Sequence, residues 1–123
     1  MKDPVLLDTN IVIEILNGIG DPHTFDRCDV FISTVSIAEL YALSGMSKDE
    51  ERRIDAALLF LSIVPLTKEI AKRAGFLART WTKRSQRPDL LIAATALELH
   101  IPIITKNIRD FSRIRGLMVR NEP

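Results

Sequence analysis

The chain has 123 residues, enough for one domain over 1–123 and too few to build a second core. Apolar residues make up 46% and charged residues 27%, which excludes a disordered or low-complexity chain. The net charge is +1 and there is a single cysteine, Cys28, so a disulfide scaffold and a cysteine zinc cage are both excluded, and a reducing, cytoplasmic location is expected.

Val5-Leu6-Leu7 is a short apolar run that ends at Asp8-Thr9-Asn10, all residues that cap helices. Ile11, Val12, Ile15 and Leu16 then recur at helical spacing until Gly18 and Gly20 close the segment. Val30-Phe31-Ile32 predicts a second strand, and a helix carrying Ile37, Leu40, Tyr41 and Leu43 follows up to Gly45. Ser47 with Glu50 three residues later is a capping box opening a helix with Ile54, Ala57, Leu58 and Leu61 on its apolar stripe. Ile63-Val64-Pro65-Leu66 predicts a brief strand. Thr67 caps a long helix in which Ile70, Ala71, Ala74, Leu77, Ala78 and Trp81 share one face.

From Leu90 to Leu97 the sequence is apolar on nearly every side, which predicts a helix buried in the middle of the domain. This run includes Thr95 and falls far short of the roughly 20 residues needed to cross a bilayer, so no membrane association is expected. A strand over 102–105, a short helix over 107–113 and a weak strand over 117–119 complete the chain. Strands alternating with helices predict a three-layer α/β/α sandwich around a mainly parallel sheet.

Charge is unevenly distributed. Residues 1–55 hold five bases against eleven acids, and residues 56–123 hold twelve bases against five acids. The densest basic stretch, 68–87, has seven bases and Glu69 as its only acid. Such a flank suits a polyanion. No glycine-rich phosphate loop is present, which disfavours a nucleotide-dependent enzyme.

Ligands of open α/β sheets bind beyond the carboxyl ends of the strands. Asp8 follows the first strand, Ser36 and Glu39 the second, and Thr105, Asn107 and Asp110 the strand near 103. Asp89 opens the buried helix. Taken singly, each acid is also explained as a helix cap: Asp8 and Asp89 sit at helix starts, and Ser36 with Glu39 and Asn107 with Asp110 have capping-box spacing. Taken together they put an acid at one edge of every unit, and carboxylates gathered this way repel unless a cation holds them. Oxygen ligands without histidine or thiolate favour Mg²⁺ or Mn²⁺. Beside a basic flank, such a site points to phosphodiester hydrolysis.

Four segments carry a family resemblance: the strand entering Leu7-Asp8-Thr9-Asn10, the run Ser33-Thr34-Val35-Ser36-Ile37-Ala38-Glu39-Leu40, the run Pro88-Asp89-Leu90-Leu91-Ile92-Ala93-Ala94-Thr95-Ala96, and Thr105-Lys106-Asn107-Ile108-Arg109-Asp110-Phe111. In this order they resemble the motifs of PIN-domain ribonucleases, particularly VapC-type toxins of toxin–antitoxin pairs. The resemblance implies a metal-dependent endoribonuclease acting on RNA, commonly dimeric and silenced by a small antitoxin protein. It implies that Asp8, Glu39 and Asp89 hold the divalent metal. Asn107 falls at a fourth position that is often aspartate, which leaves Asp110, one helical turn later, as an additional acid. Thr9, Asn10, Ser36 and Thr105 are then small polar neighbours that orient carboxylates or water.

Lys83, Arg84, Arg87, Lys106 and Arg109 are the bases expected nearest the acids, where they would meet RNA phosphates. Two other readings share these residues: a DNA-directed nuclease with the same acidic logic, and a non-catalytic RNA-binding or protein-interaction module that keeps the fold. His23 and His100 are too far apart to form an acid–base pair, and Cys28 has no histidine partner. Trp81 is expected in the core, and Tyr41 in packing or at a dimer surface.

Overall fold

The computed structural model describes residues 2–81 and 87–123. In chain order the elements are β1 (Asp3–Leu7), α1 (Thr9–Leu16), β2 (Cys28–Ser33), α2 (Thr34–Tyr41), α3 (Lys48–Leu58), β3 (Ser62–Val64), α4 (Lys68–Ala78), α5 (Arg87–Leu99), β4 (Ile103–Ile104), α6 (Ile108–Phe111) and β5 (Val119–Arg120). The five strands form one sheet in the order β3-β2-β1-β4-β5, and every pairing is parallel.

Side-chain alternation on the central strands makes the three layers. Val5 and Leu7 of β1 and Ile104 of β4 pack with Ile11 and Val12 of α1, Leu40 of α2 and Ile54 of α3. Leu6 and Ile103 point to the other face, against Leu90, Ile92, Ala93 and Ala96 of α5 and Phe111 of α6. With both faces covered, β1 has no polar residue between Val5 and Leu7, as a buried parallel strand requires. Residues 92–96 of α5 are all buried; the alanines let neighbouring elements approach closely, and the Thr95 hydroxyl satisfies itself by donating to the Leu91 carbonyl at 2.8 Å.

Local signals set most boundaries. Ser47 and Glu50 form the expected reciprocal capping box at the start of α3, and Thr67 caps α4 through the Ile70 N–H. The chain leaves α1 through Asn17 and Gly18, whose φ of +73° suits glycine. β3 stops before Pro65, which has no N–H to give the ladder. The structure departs from expectation at α4, which ends at Ala78; Trp81 therefore lies beyond the helix, though it still packs against the α5 cluster. Tyr41 is tied to a neighbouring helix, its hydroxyl donating to Asp55 of α3.

Strand order positions the site. The chain runs outward from β1 to β2 and β3, then returns to lay β4 on the other side of β1. The crevice between the carboxyl ends of β1 and β4 is the switch point at which open α/β sheets bind ligands.

Candidate active site

Asp8 follows β1 directly in that crevice and is only 5% exposed. It is the N-cap of α1, and its Oδ1 accepts from the Thr9 backbone N–H at 2.8 Å. Its Oδ2 accepts from the hydroxyl of Thr105, just past β4, at 2.8 Å. The same Thr105 oxygen accepts the Asn107 backbone N–H at 3.0 Å. Asp8 thus caps α1 with one oxygen while the other reaches Thr105 across the crevice. Burial pushes the Asp8 carboxyl above its ordinary range even though both donors favour the charged form.

A second relay holds Glu39. Thr9 Oγ1 lies 2.7 Å from Glu39 Oε1 and 2.8 Å from Ser36 Oγ. The hydroxyl has one proton, which goes to the carboxylate because the carboxylate can only accept; Ser36 is then the donor to Thr9. Ser36 is fully buried within α2, and the helix is capped by Ser33, which accepts from the Val35 N–H. The capping-box explanation of Ser36 and Glu39 is therefore incorrect. α2 begins three residues earlier than that spacing implies, and Ser36 turns inward to the first helix.

Asp89 sits in the first turn of α5, half-buried, and its carboxyl is pushed up to about 6. Burial is the largest cause, followed by the negative charges of Asp8, Glu39 and Asp110. Four acids from β1, α2, α5 and α6 therefore share one electrostatic environment. Asp110 is 8% exposed and accepts from the Asn107 side-chain amide at 3.2 Å. Asn107 precedes α6 but makes no side-chain cap to it, so the capping-box explanation fails here as well.

The sequence profile of the PIN domain matches residues 5–117. Ribonuclease VapC10 of Mycobacterium tuberculosis is 34% identical over 92% of this chain and 90% of its own length. The chain belongs to the PIN-domain family, among the VapC ribonucleases. The fold agrees. VapBC2 of Rickettsia felis bound to a promoter DNA fragment superposes with a TM-score of 0.80, at 24% identity over 95% of this chain and 97% of that one. A toxin–antitoxin complex from Klebsiella pneumoniae gives 0.72 at 27% identity, covering 93% and 95%.

PIN-domain ribonucleases are generally dependent on divalent metal ions, and the residues of this VapC chain fit such an ion chemically. The donor set is all oxygen, and the neighbouring negative charges that add to burial in lifting Asp89 are what a cation relieves. Among the described residues, no three His, Cys, Asp or Glu side chains already converge as a cage. A hard cation that keeps several of its waters tolerates carboxylates spaced this way.

The remaining residues expected in this VapC site divide. Thr9 and Thr105 bond the acids directly and Ser36 bonds Thr9, but Asn10 is exposed on α1. Arg87 and Arg109 are exposed on α5 and α6. Lys106 is held by Glu14 of α1 at 2.8 Å, which draws its charge toward that helix. Lys83 and Arg84 lie outside the described residues. The Thr9 link between Asp8's helix and Glu39 joins residues 30 apart, a pairing no local spacing encodes.

Proposed function

We propose that one PIN-like domain over residues 1–123 is a Mg²⁺- or Mn²⁺-dependent endoribonuclease, the toxin of a toxin–antitoxin pair, working in the cytoplasm. The observation that carries this is the gathering of four acids from separate elements, with Asp8, Glu39 and Asp110 near enough for their charges to act on Asp89.

Asp8, Glu39 and Asp89 hold the cation, directly or through its waters. When bound, it supplies charge neutralisation at the phosphodiester and makes water easier to deprotonate. Asp89, at the start of α5 beside the other acids, takes the proton of the attacking water. Water adds in line at phosphorus as the bond to the leaving ribose oxygen breaks. Thr105 fixes Asp8, and Thr9 with Ser36 fixes Glu39, so neither carboxylate must reorganise as charge develops. Asn107 orients Asp110, which adds negative charge beside Asp89. Arg87 and Arg109 meet neighbouring RNA phosphates.

The partners are an RNA substrate, a small antitoxin protein and a second copy of the chain. Leu59 and Phe60 are 84% and 86% exposed between α3 and β3, apolar surface that an assembly would cover. Among the described residues no helix is long and apolar enough to cross a membrane.

Cleavage of a mixed pool of structured RNAs, with Mn²⁺ against EDTA and wild type against Asp8→Asn, tests the activity. Cutting that needs the metal and vanishes in the variant is expected. Full activity in Asp8→Asn overturns the assignment of the site. Failure to bind Mn²⁺ by calorimetry, with no RNA cut, favours a non-catalytic module.

A further inference from the structure

β4 and β5 are parallel, so the chain between them must cross from the carboxyl edge of the sheet, where the acids lie, to the opposite edge. Arg109, Arg113 and Arg115 occur in that order along this crossing, all exposed, while Phe111 and Ile114 between them are buried and anchor the segment. Arg109 lies on α6, and Arg113 follows in the turn just past its C-cap, Ser112. None of the three arginines forms an ion pair among the described residues, whereas Lys48, Arg52, Arg73 and Lys106 do. The only acid within 108–120 is Asp110, which is buried.

The crossing ends at a cavity of about 280 Å³ at the far end of α5. Arg73, His100 and Arg115 stand around it above an apolar floor of Leu97, Leu117 and Met118, and no carboxylate lines it among the described residues. Arg73 binds Glu98 through Nε, which leaves its terminal N–H groups available. His100 has a φ of +56°, the left-handed region where a helix end ordinarily places glycine. Holding a ring there carries a conformational cost, and such costs cluster at binding sites. Along α5, Asp89 and His100 are separated by about 16 Å at 1.5 Å per residue.

We infer that this flank is a phosphate track: the RNA strand leaves the acid pocket over Arg109 and Arg113, and one nucleotide seats in the cavity, its phosphate on Arg115 and Arg73 and its base on the apolar floor. The inference rests on the ribonuclease reading and adds the path and a second subsite. Arginine suits the track because its planar fork matches phosphate oxygens.

The test is binding of a labelled single-stranded RNA of mixed sequence to the full chain in EDTA, measured against salt, with cleavage assayed in parallel in Mn²⁺. Each lost phosphate contact lowers the salt slope by about 0.7, so Arg113→Ala/Arg115→Ala is expected to lower it by about 1.4. Arg52→Ala/Arg53→Ala on α3 leaves it unchanged. His100→Gly is expected to raise the thermal midpoint by relieving the backbone while weakening RNA binding; a residue with a purely structural role would not separate the two. If wild type cleaves RNA but the Arg113/Arg115 variant keeps its slope, the track is wrong and the ribonuclease reading survives. If wild type neither binds nor cleaves RNA, that reading falls and the track falls with it.

Discussion

The Thr105 hydroxyl donates to Asp8 Oδ2 at 2.8 Å across 97 residues of chain, joining the carboxyl ends of two adjacent parallel strands. Thr105 is fully buried, and among the described residues its oxygen bonds Asp8 and the Asn107 N–H. Thr105→Val keeps the shape and removes both interactions. Leaving buried partners unsatisfied costs about 1–3 kcal/mol. Loss of an outer-shell partner weakens metal binding about 10–100-fold. Urea unfolding and Mn²⁺ calorimetry measure the two effects, and Thr105→Ser is expected to restore most of both.

Asp89 gives a pH signature in the metal-free protein. Its carboxyl binds a proton more tightly folded, at about 6, than at its ordinary 3.8, so stability falls as pH rises between those values and stays reduced above them. Asp89→Asn in EDTA is expected to melt higher than wild type at pH 7 and no higher at pH 3. Adding Mn²⁺ at pH 7 should raise the wild-type midpoint and leave the variant nearly unmoved. Identical melting curves at pH 7 in EDTA would mean the acids do not strain one another.

Lys106 and Arg109 are three residues apart but have different surroundings. Lys106 is paired with Glu14, whereas Arg109 forms no ion pair among the described residues. Lys106→Ala is therefore expected to leave the salt slope of RNA binding unchanged, and Arg109→Ala to reduce it by about 0.7. Equal slopes for the two variants would remove Arg109 from the phosphate contacts.

Stability and chemistry separate at α3. Ser47→Ala removes one half of the capping box, at a cost of about 1 kcal/mol. Chemical denaturation should register that loss, while cleavage measured well below the melting range stays at the wild-type rate.

Much of this was legible in the residues. Alternating apolar runs and cap-rich turns fixed the order of strands and helices, and the capping box at Ser47 and Thr67 before α4 held as predicted. Trp81 misled because an apolar residue at helical spacing marks the same face whether the helix reaches it or stops at Ala78. Ser36 misled in the opposite sense. Its spacing to Glu39 is that of a cap, yet Ser33 already caps α2, and a buried serine then needs a partner elsewhere.

What the sequence determined by itself was therefore local: which segments bury apolar surface, at which period, and which acids follow each strand. That information lies in neighbours a few residues apart. Only the tertiary structure decided that β4 returns beside β1, and hence that Asp8 meets Thr105, that Thr9 spans to Glu39, and that Lys106 turns to Glu14. These partners lie 97, 30 and 92 residues apart, and a hydrogen bond or ion pair between such residues leaves no periodic trace in the chain. Strand order brings them within reach, because ladder pairing and the burial of both sheet faces hold the carboxyl ends of the strands side by side.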